Sequence, residues 1–140
     1  MKTLSILAVD DHEEICALLA ENLGRAGHRV TCAHDGRKAA DCLADREFDL
    51  VITDIIMPEM DGLELMAEVK KRQPAAHLLA MSCGTRYLSQ GDCLNLAASL
   101  GAHAILPKPF NKKELMQAVD HAFGQQDGWL DSEDSSPAAS

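Results

Sequence analysis

The sequence predicts an α/β fold of five βα units, with a parallel sheet held between two layers of helices. Two observations carry that expectation. Short apolar runs alternate strictly with stretches of helical periodicity, the pattern of βαβ units joined by right-handed crossovers. Three of the runs are apolar almost without interruption, as strands covered on both faces are. A chain of 140 residues suits one domain with a proper core and is short for two.

Strands are expected at Leu4–Val9, His28–Ala33, Leu50–Thr53, Leu78–Met81 and His103–Leu106. The first, third and fourth are the continuous runs. Five helices are expected among and after them. In the first, Ile15, Leu18, Leu19 and Leu23 share one stripe; in the last, Leu115, Ala118, Val119 and Ala122 do. Gly24 and Gly27 close the first helix, and Asp35-Gly36 opens the second. Asp61 with Glu64, and Asn111 with Glu114, have the spacing of a capping box. Periodicity does not fix the strand order. For five such units the flavodoxin-like order 2-1-3-4-5 is the standard solution, a (βα)5 three-layer sandwich. Pro107 ends the last strand, and a proline suits an edge.

Hydrophobic residues make up 46% and charged residues 25% of the chain, as in soluble globular proteins. No apolar run approaches the roughly 20 residues that span a bilayer. Met1-Lys2-Thr3-Leu4 leads straight into the first strand without a secretory h-region, so a cytoplasmic location is expected. The cysteines are Cys16, Cys32, Cys42, Cys83 and Cys93. None forms a Cys-x-x-Cys pair, so reduced, small core or surface residues are expected rather than a disulfide framework or a zinc site. The six histidines are scattered, with no pair at helical spacing. The net charge of −9 disfavours direct nucleic-acid binding, which needs a basic footprint. It leaves acidity to spare for a cation.

Composition shifts after Phe123. Residues 124–140 are rich in Gly, Gln, Ser and Asp, with four acids and no Lys or Arg. A folded domain over 1–123 and an acidic, disordered tail or linker start over 124–140 are expected. Trp129-Leu130 reads as an exposed pair, with a short docking motif as the sharper alternative.

In an open parallel sheet, ligands bind beyond the carboxyl ends of the strands. Asp10-Asp11 ends the first strand, Asp54 the third and Ser82 the fourth, and Lys108 follows the fifth. Sheet geometry therefore gathers all five. Three neighbouring carboxylates repel one another unless a cation is present. Such oxygens suit Mg²⁺, a hard ion that takes one or two carboxylates and adds phosphate oxygens. A carboxylate can also act as a nucleophile and become an aspartyl-phosphate. Lys108 would neutralise charge on a transferring phosphoryl group, and the Ser82 hydroxyl could donate to it. Taken singly, Asp11 with Glu14 could be a helix N-cap, Lys108 a surface lysine and Ser82 a turn hydroxyl. Asp54 has no local salt-bridge partner. The convergence carries the argument.

Together these segments resemble the receiver domains of two-component response regulators, the CheY-like superfamily. The resemblance rests on Ile6-Leu7-Ala8-Val9-Asp10-Asp11, on Asp54-Ile55-Ile56-Met57-Pro58-Glu59-Met60-Asp61-Gly62, on Met81-Ser82 and on Leu106-Pro107-Lys108-Pro109-Phe110. It covers about residues 3–123. It implies that Asp54 accepts a phosphoryl group from a phosphohistidine of a sensor histidine kinase or histidine phosphotransfer protein. It implies Mg²⁺ held by Asp11 and Asp54, with Asp10 helping through water and the backbone carbonyl of Ile56 as a further ligand. Lys108 and Ser82 are then the residues that hold the phosphoryl group, and Lys108–Pro109 is a cis peptide that aims Lys108 inward. Phosphorylation would switch the face made by the fourth helix, fifth strand and fifth helix, through which a homodimer could also form. No catalysis beyond self-phosphorylation and autodephosphorylation is implied, and no membrane partner.

Three departures from the family pattern stand out. Ile105 occupies the place of an aromatic switch residue. Ser82 and Lys108 are 26 residues apart, which suggests a longer loop over Cys83–Asp92. No output domain follows, so the chain is a stand-alone receiver or a fragment. Ile56, bulky and apolar beside the acceptor, implies slow self-dephosphorylation. Other readings are weaker. A phosphatase would need a second acid where Ile56 stands. A nucleotide- or flavin-binding domain would need glycines where Asp10-Asp11-His12-Glu13 stands. An adaptor that binds partners without phosphorylation is the strongest alternative.

Overall fold

Five short strands form a single parallel sheet. They are β1 (Ser5–Val9), β2 (Arg29–Ala33), β3 (Leu50–Asp54), β4 (His77–Ser82) and β5 (Ala104–Pro107), in the order β2-β1-β3-β4-β5. The computed structural model describes residues 3–55, 62–82, 95, 99 and 101–127. The order explains the sequence pattern. The three continuous apolar runs are β1, β3 and β4, the central strands, and every residue of β3 is buried. The edge strand β2 exposes Arg29 and Cys32. β5, with Pro107 at its end, forms the other edge.

The helices are α1 (Glu13–Arg25), α2 (Gly36–Asp45), α3 (Gly62–Arg72) and, at the C-terminus, α4 (Lys112–Asp127). Side chains alternate along each strand between two cores. On one face Leu7, Val9, Val51, Leu78 and Ala80 pack with Leu43, Leu65, Met66 and Val69. On the other Ile6, Ala8, Ile52, Leu79 and Met81 pack with Leu19, Leu23, Leu115 and Val119. This is the expected flavodoxin-like three-layer sandwich.

The helix ends follow their sequence signals, with two adjustments. The Asp35 carboxylate accepts from the Lys38 N–H at 2.8 Å. Asn111 and Glu114 satisfy each other's backbone N–H at 3.0 and 2.8 Å, a complete capping box. Gly27, at φ +98°, lets the chain leave α1 in the left-handed region. Gly24 lies inside the helix rather than closing it. The N-cap of α1 is His12, not Asp11, which leaves the Asp11 side chain for other work. The α1 stripe is also rotated from the expected one. Leu18 is 38% exposed, while Cys16 is buried with Leu19 and Leu23.

The amino edge of the sheet is closed by side chains. The Leu4 N–H donates to His28 Nδ1 (3.1 Å), the Ser5 N–H to Asp49 Oδ2 (2.8 Å), the Phe48 N–H to Gln73 Oε1 (2.8 Å) and the Leu78 N–H to His103 Nδ1 (3.0 Å). Backbone donors that begin a strand have no ladder partner on that side, and these acceptors supply one. Asp61, the Trp129-Leu130 pair and most of the segment expected to hold a helix between β4 and β5 lie outside the described residues; Asn95 and Ser99 have helical backbone. Among the described residues no helix is long and apolar enough to cross a membrane.

Candidate functional site

The carboxyl edge of the sheet gathers the acids. Parallel register puts Val9 level with Thr53, and Asp54 level with Met81. Asp10 and Asp54 therefore leave adjacent strands side by side. Lys108, just past β5, reaches back across β4. Its ammonium lies 2.9 Å from Asp10 Oδ2 and 3.2 Å from Asp54 Oδ2. Residues 98 and 54 positions away in sequence thus share one cation. The Lys108–Pro109 peptide is cis, as expected.

Burial sets the electrostatics. The Asp10 side chain is fully buried, and those of Asp54 and Lys108 are nearly so. Burial pushes the Asp54 carboxyl up, and the neighbouring Asp10 charge adds to that, against the pull of Lys108. Burial also works against the charge on Asp10. There it is outweighed by the Lys108 ammonium and the His12 backbone N–H (2.9 Å), which hold that carboxyl below the usual range. Burial opposes the charge on Lys108 too, but its bond to Asp10 and the two carboxylate charges raise it overall.

Asp11, one third exposed, turns toward solvent beside His12. His12 Nδ1 lies 3.1 Å from Asp10 Oδ1 and 3.3 Å from Asp11 Oδ1. Hydrogen bonding to Asp10, with the Asp11 and Asp10 charges, raises the imidazole. Sequence reasoning passed over His12 because it sought histidines at helical spacing. Its adjacency to Asp10-Asp11 was the available signal. Oxygen ligands from Asp10 and Asp11, with one ligand atom from His12, lie within 4.8 Å of one another. Paired hard carboxylate oxygens at a partly open position fit a divalent cation such as Mg²⁺.

Gly62 is the second residue that sequence reasoning undervalued. It begins α3 directly beneath Asp54. Its N–H donates to the Ile55 carbonyl at 2.7 Å. A Cβ there would collide with the Asp54 carbonyl oxygen and come within 2.6 Å of Ile55 Cα. Only glycine allows this approach of backbone to backbone. Ser82 ends β4 opposite Pro107, on the strand between Asp54 and Lys108. Ile56 lies outside the described residues.

Beside the cluster, Ile15, Leu18, Lys108, Pro109 and Phe110 line an apolar pocket of about 430 Å³. The side of Lys108 that does not meet the acids faces this pocket.

Residues 6–120 match the family described as the response regulator receiver domain. This chain belongs to that family. It is 35% identical over 123 residues to the DNA-binding transcriptional regulator NtrC of Azospirillum brasilense, covering 88% of this chain and 25% of that protein. It is 33% identical over 135 residues to the transcriptional regulatory protein CpxR of Klebsiella pneumoniae, covering 96% of this chain and 55% of that protein. The receiver thus spans between a quarter and about half the length of these relatives. The structure of the chemotaxis response regulator CheY4 of Vibrio cholerae superposes with a TM-score of 0.78 at 28% identity, over 87% of this chain and all of that one. The receiver's acids and Lys108 stand at the strand ends where the fold places a ligand site.

Proposed function

We propose that Asp54 is the phosphoacceptor of this receiver, and that it takes its phosphoryl group from a phosphohistidine on a sensor histidine kinase or a histidine phosphotransfer protein. The observation that carries the reading is the meeting of Asp10, Asp54 and Lys108 within 3.2 Å. Asp54 is the acid whose proton affinity is raised, so its carboxylate is the more nucleophilic of the two. It attacks phosphorus through one oxygen, and the phosphorus–nitrogen bond to the donor histidine breaks. Lys108 already holds two carboxylates and can pass to the added phosphoryl oxygens with little movement. The Ser82 hydroxyl donates to the same group.

Asp10, Asp11 and Asp54, with the Ile56 carbonyl, would hold Mg²⁺. Bound there, Mg²⁺ supplies charge neutralisation for the incoming phosphoryl oxygens. The phosphodonor protein approaches over the apolar pocket of Ile15, Leu18, Pro109 and Phe110, which opens beside Lys108. The exposed Leu18 is part of the α1 surface that such a partner would cover. The aspartyl-phosphate then shifts the population of the loops after β4 and of the face made by β5 and its flanking helices.

The chain acts in the cytoplasm, as a signalling switch and not as an enzyme on other substrates. Direct nucleic-acid binding by the domain is disfavoured by the net charge of the chain, −9, which leaves no basic excess to form a footprint. DNA binding by a longer protein would belong to a segment outside residues 1–123, and residues 124–140 would be the tail or linker. Incubation with Mg²⁺ and a small-molecule phosphodonor, followed by intact mass measurement, tests the reading. One phosphoryl group gained by the native chain and absent from Asp54→Asn is expected. No adduct on a folded protein would move the reading to an adaptor that binds partners unphosphorylated.

A further inference from the structure

Two cysteines meet at the sheet edge next to the acid cluster. Cys32 stands on the edge strand β2, level with Ala8 of β1. Cys16 lies above them on α1, buried, and its thiol donates to the Asp10 carbonyl (3.4 Å), with the Ala33 (3.8 Å) and Ala8 (3.9 Å) carbonyl oxygens also within reach. Cys32 is exposed, and its sulfur reaches within 3.6 Å of the Cys16 carbonyl oxygen. Burial first, and then the neighbouring Cys32 thiol, push the Cys16 thiol up to about 12. Cys42 packs against the core on the opposite face of the sheet and is screened from the pair by the sheet itself.

We infer that Cys16 and Cys32 form a redox-closable dithiol, which an intramolecular disulfide converts into a tie between α1 and β2. The proposal does not depend on the phosphoacceptor reading; its consequence for phosphorylation does. The arrangement has the two parts such a site needs, one thiol in contact with solvent and a second, buried one on the residue whose carbonyl it approaches. The oxidant is a hydroperoxide. The exposed Cys32 sulfur attacks the distal peroxide oxygen, the O–O bond breaks, and an alcohol or water leaves, with Cys32 now a sulfenic acid. The Cys16 sulfur then attacks the Cys32 sulfur. The S–O bond breaks, the Cys16 proton leaves with the hydroxyl as water, and the S–S bond forms. Two electrons have passed from the thiols to the peroxide oxygens. Intracellular disulfides of this kind are transient and regulatory.

Closure has a consequence at the site. The Cys16 thiol that bonds the Asp10 carbonyl loses its proton to the new link, so that bond is lost. The turn from Asp10 into α1 is then held by the disulfide rather than by the thiol. The oxidised chain is expected to accept phosphate several-fold more slowly.

The test treats the full chain with hydrogen peroxide, blocks remaining thiols, and reads intact mass and a tryptic map without reductant. The expected result is a loss of two hydrogens, reversed by a dithiol reductant. The linked peptides are Thr3–Arg25 and Val30–Arg37. The surface variant Cys32→Ser, chosen because it leaves the core intact, should not form the link. A native chain that only gains oxygen, keeps its mass, or links other cysteines overturns the proposal. Phosphorylation of linked and reduced chains is then compared with a small-molecule phosphodonor. Equal rates overturn the effect on the site. A reduced chain that takes no phosphoryl group speaks against the phosphoacceptor reading alone, and the mass readout still decides the dithiol.

Discussion

Asp54 is held at a cost to the fold. Burial and the Asp10 charge raise its carboxyl above the usual value, so the folded chain binds a proton there more readily than the unfolded chain does. Where the acid is ionised, the folded state bears the penalty of the charge. Asp54→Asn removes the charge and keeps the shape. It should melt at a higher temperature than the native chain in the absence of divalent cations, as a site strained for function does when neutralised. A differential-scanning melt in chelator measures this, and an unchanged or lower midpoint would sink the account. Ile56 leads to a prediction about lifetime. Its side chain offers no hydrogen bond to orient an attacking water, so Ile56→Asn should shorten the phosphorylated half-life. The decay of the phosphorylated mass with time is the readout, and equal half-lives would refute the idea. Asp54 and Lys108 were legible in the sequence because any parallel sheet collects strand carboxyl ends. Gly62 was less so, because its role is an approach of backbone to backbone that no side chain announces.

At the scale of elements, strand identity and strand order were both readable, since continuous apolar runs mark strands with two covered faces. The orientation of α1 was not. Cys16 and Leu18 lie on opposite edges of the stripe centred on Leu19, and the rotation of the helix on the sheet decides which is buried. The outcome put Cys16 against β2 and left Leu18 in the pocket beside Lys108. The capping signals were more reliable where both partners of a box were present. Asn111→Ala removes one half of the reciprocal pair at the start of α4 and should cost about 1 kcal/mol. Urea unfolding with a constant m-value would show it. A loss near zero would mean that packing of Leu115 and Val119 alone sets the start of the helix.

For the whole molecule, stability should depend on pH through the closed edge of the sheet. His103 is held below the ordinary histidine value, chiefly by burial and then by the nearby His77 and Lys70. Its Nδ1 accepts the Leu78 N–H, a bond that a proton on that nitrogen would abolish. A depressed histidine means that the unfolded chain takes up the proton first as pH falls. The stability is therefore fully present above about pH 6.5 and is lost as pH drops below it. His103→Asn keeps an acceptor that does not titrate, and should flatten that limb of the stability profile; a profile that keeps its slope in the variant would refute this role. The two edges of the sheet also differ in how they tolerate changes in length. At the amino edge, His28, Asp49, Gln73 and His103 lie in short connections whose side chains are committed to strand starts. An inserted residue there would pull an acceptor off a buried N–H. Among the described residues, no side chain at the carboxyl edge accepts from a strand-starting N–H in this way, and loops there can grow without shifting the strands. The connection that leaves β4 at Ser82 starts from that permissive side. New binding surface can therefore be added there while the acids and Lys108 stay where the sheet holds them.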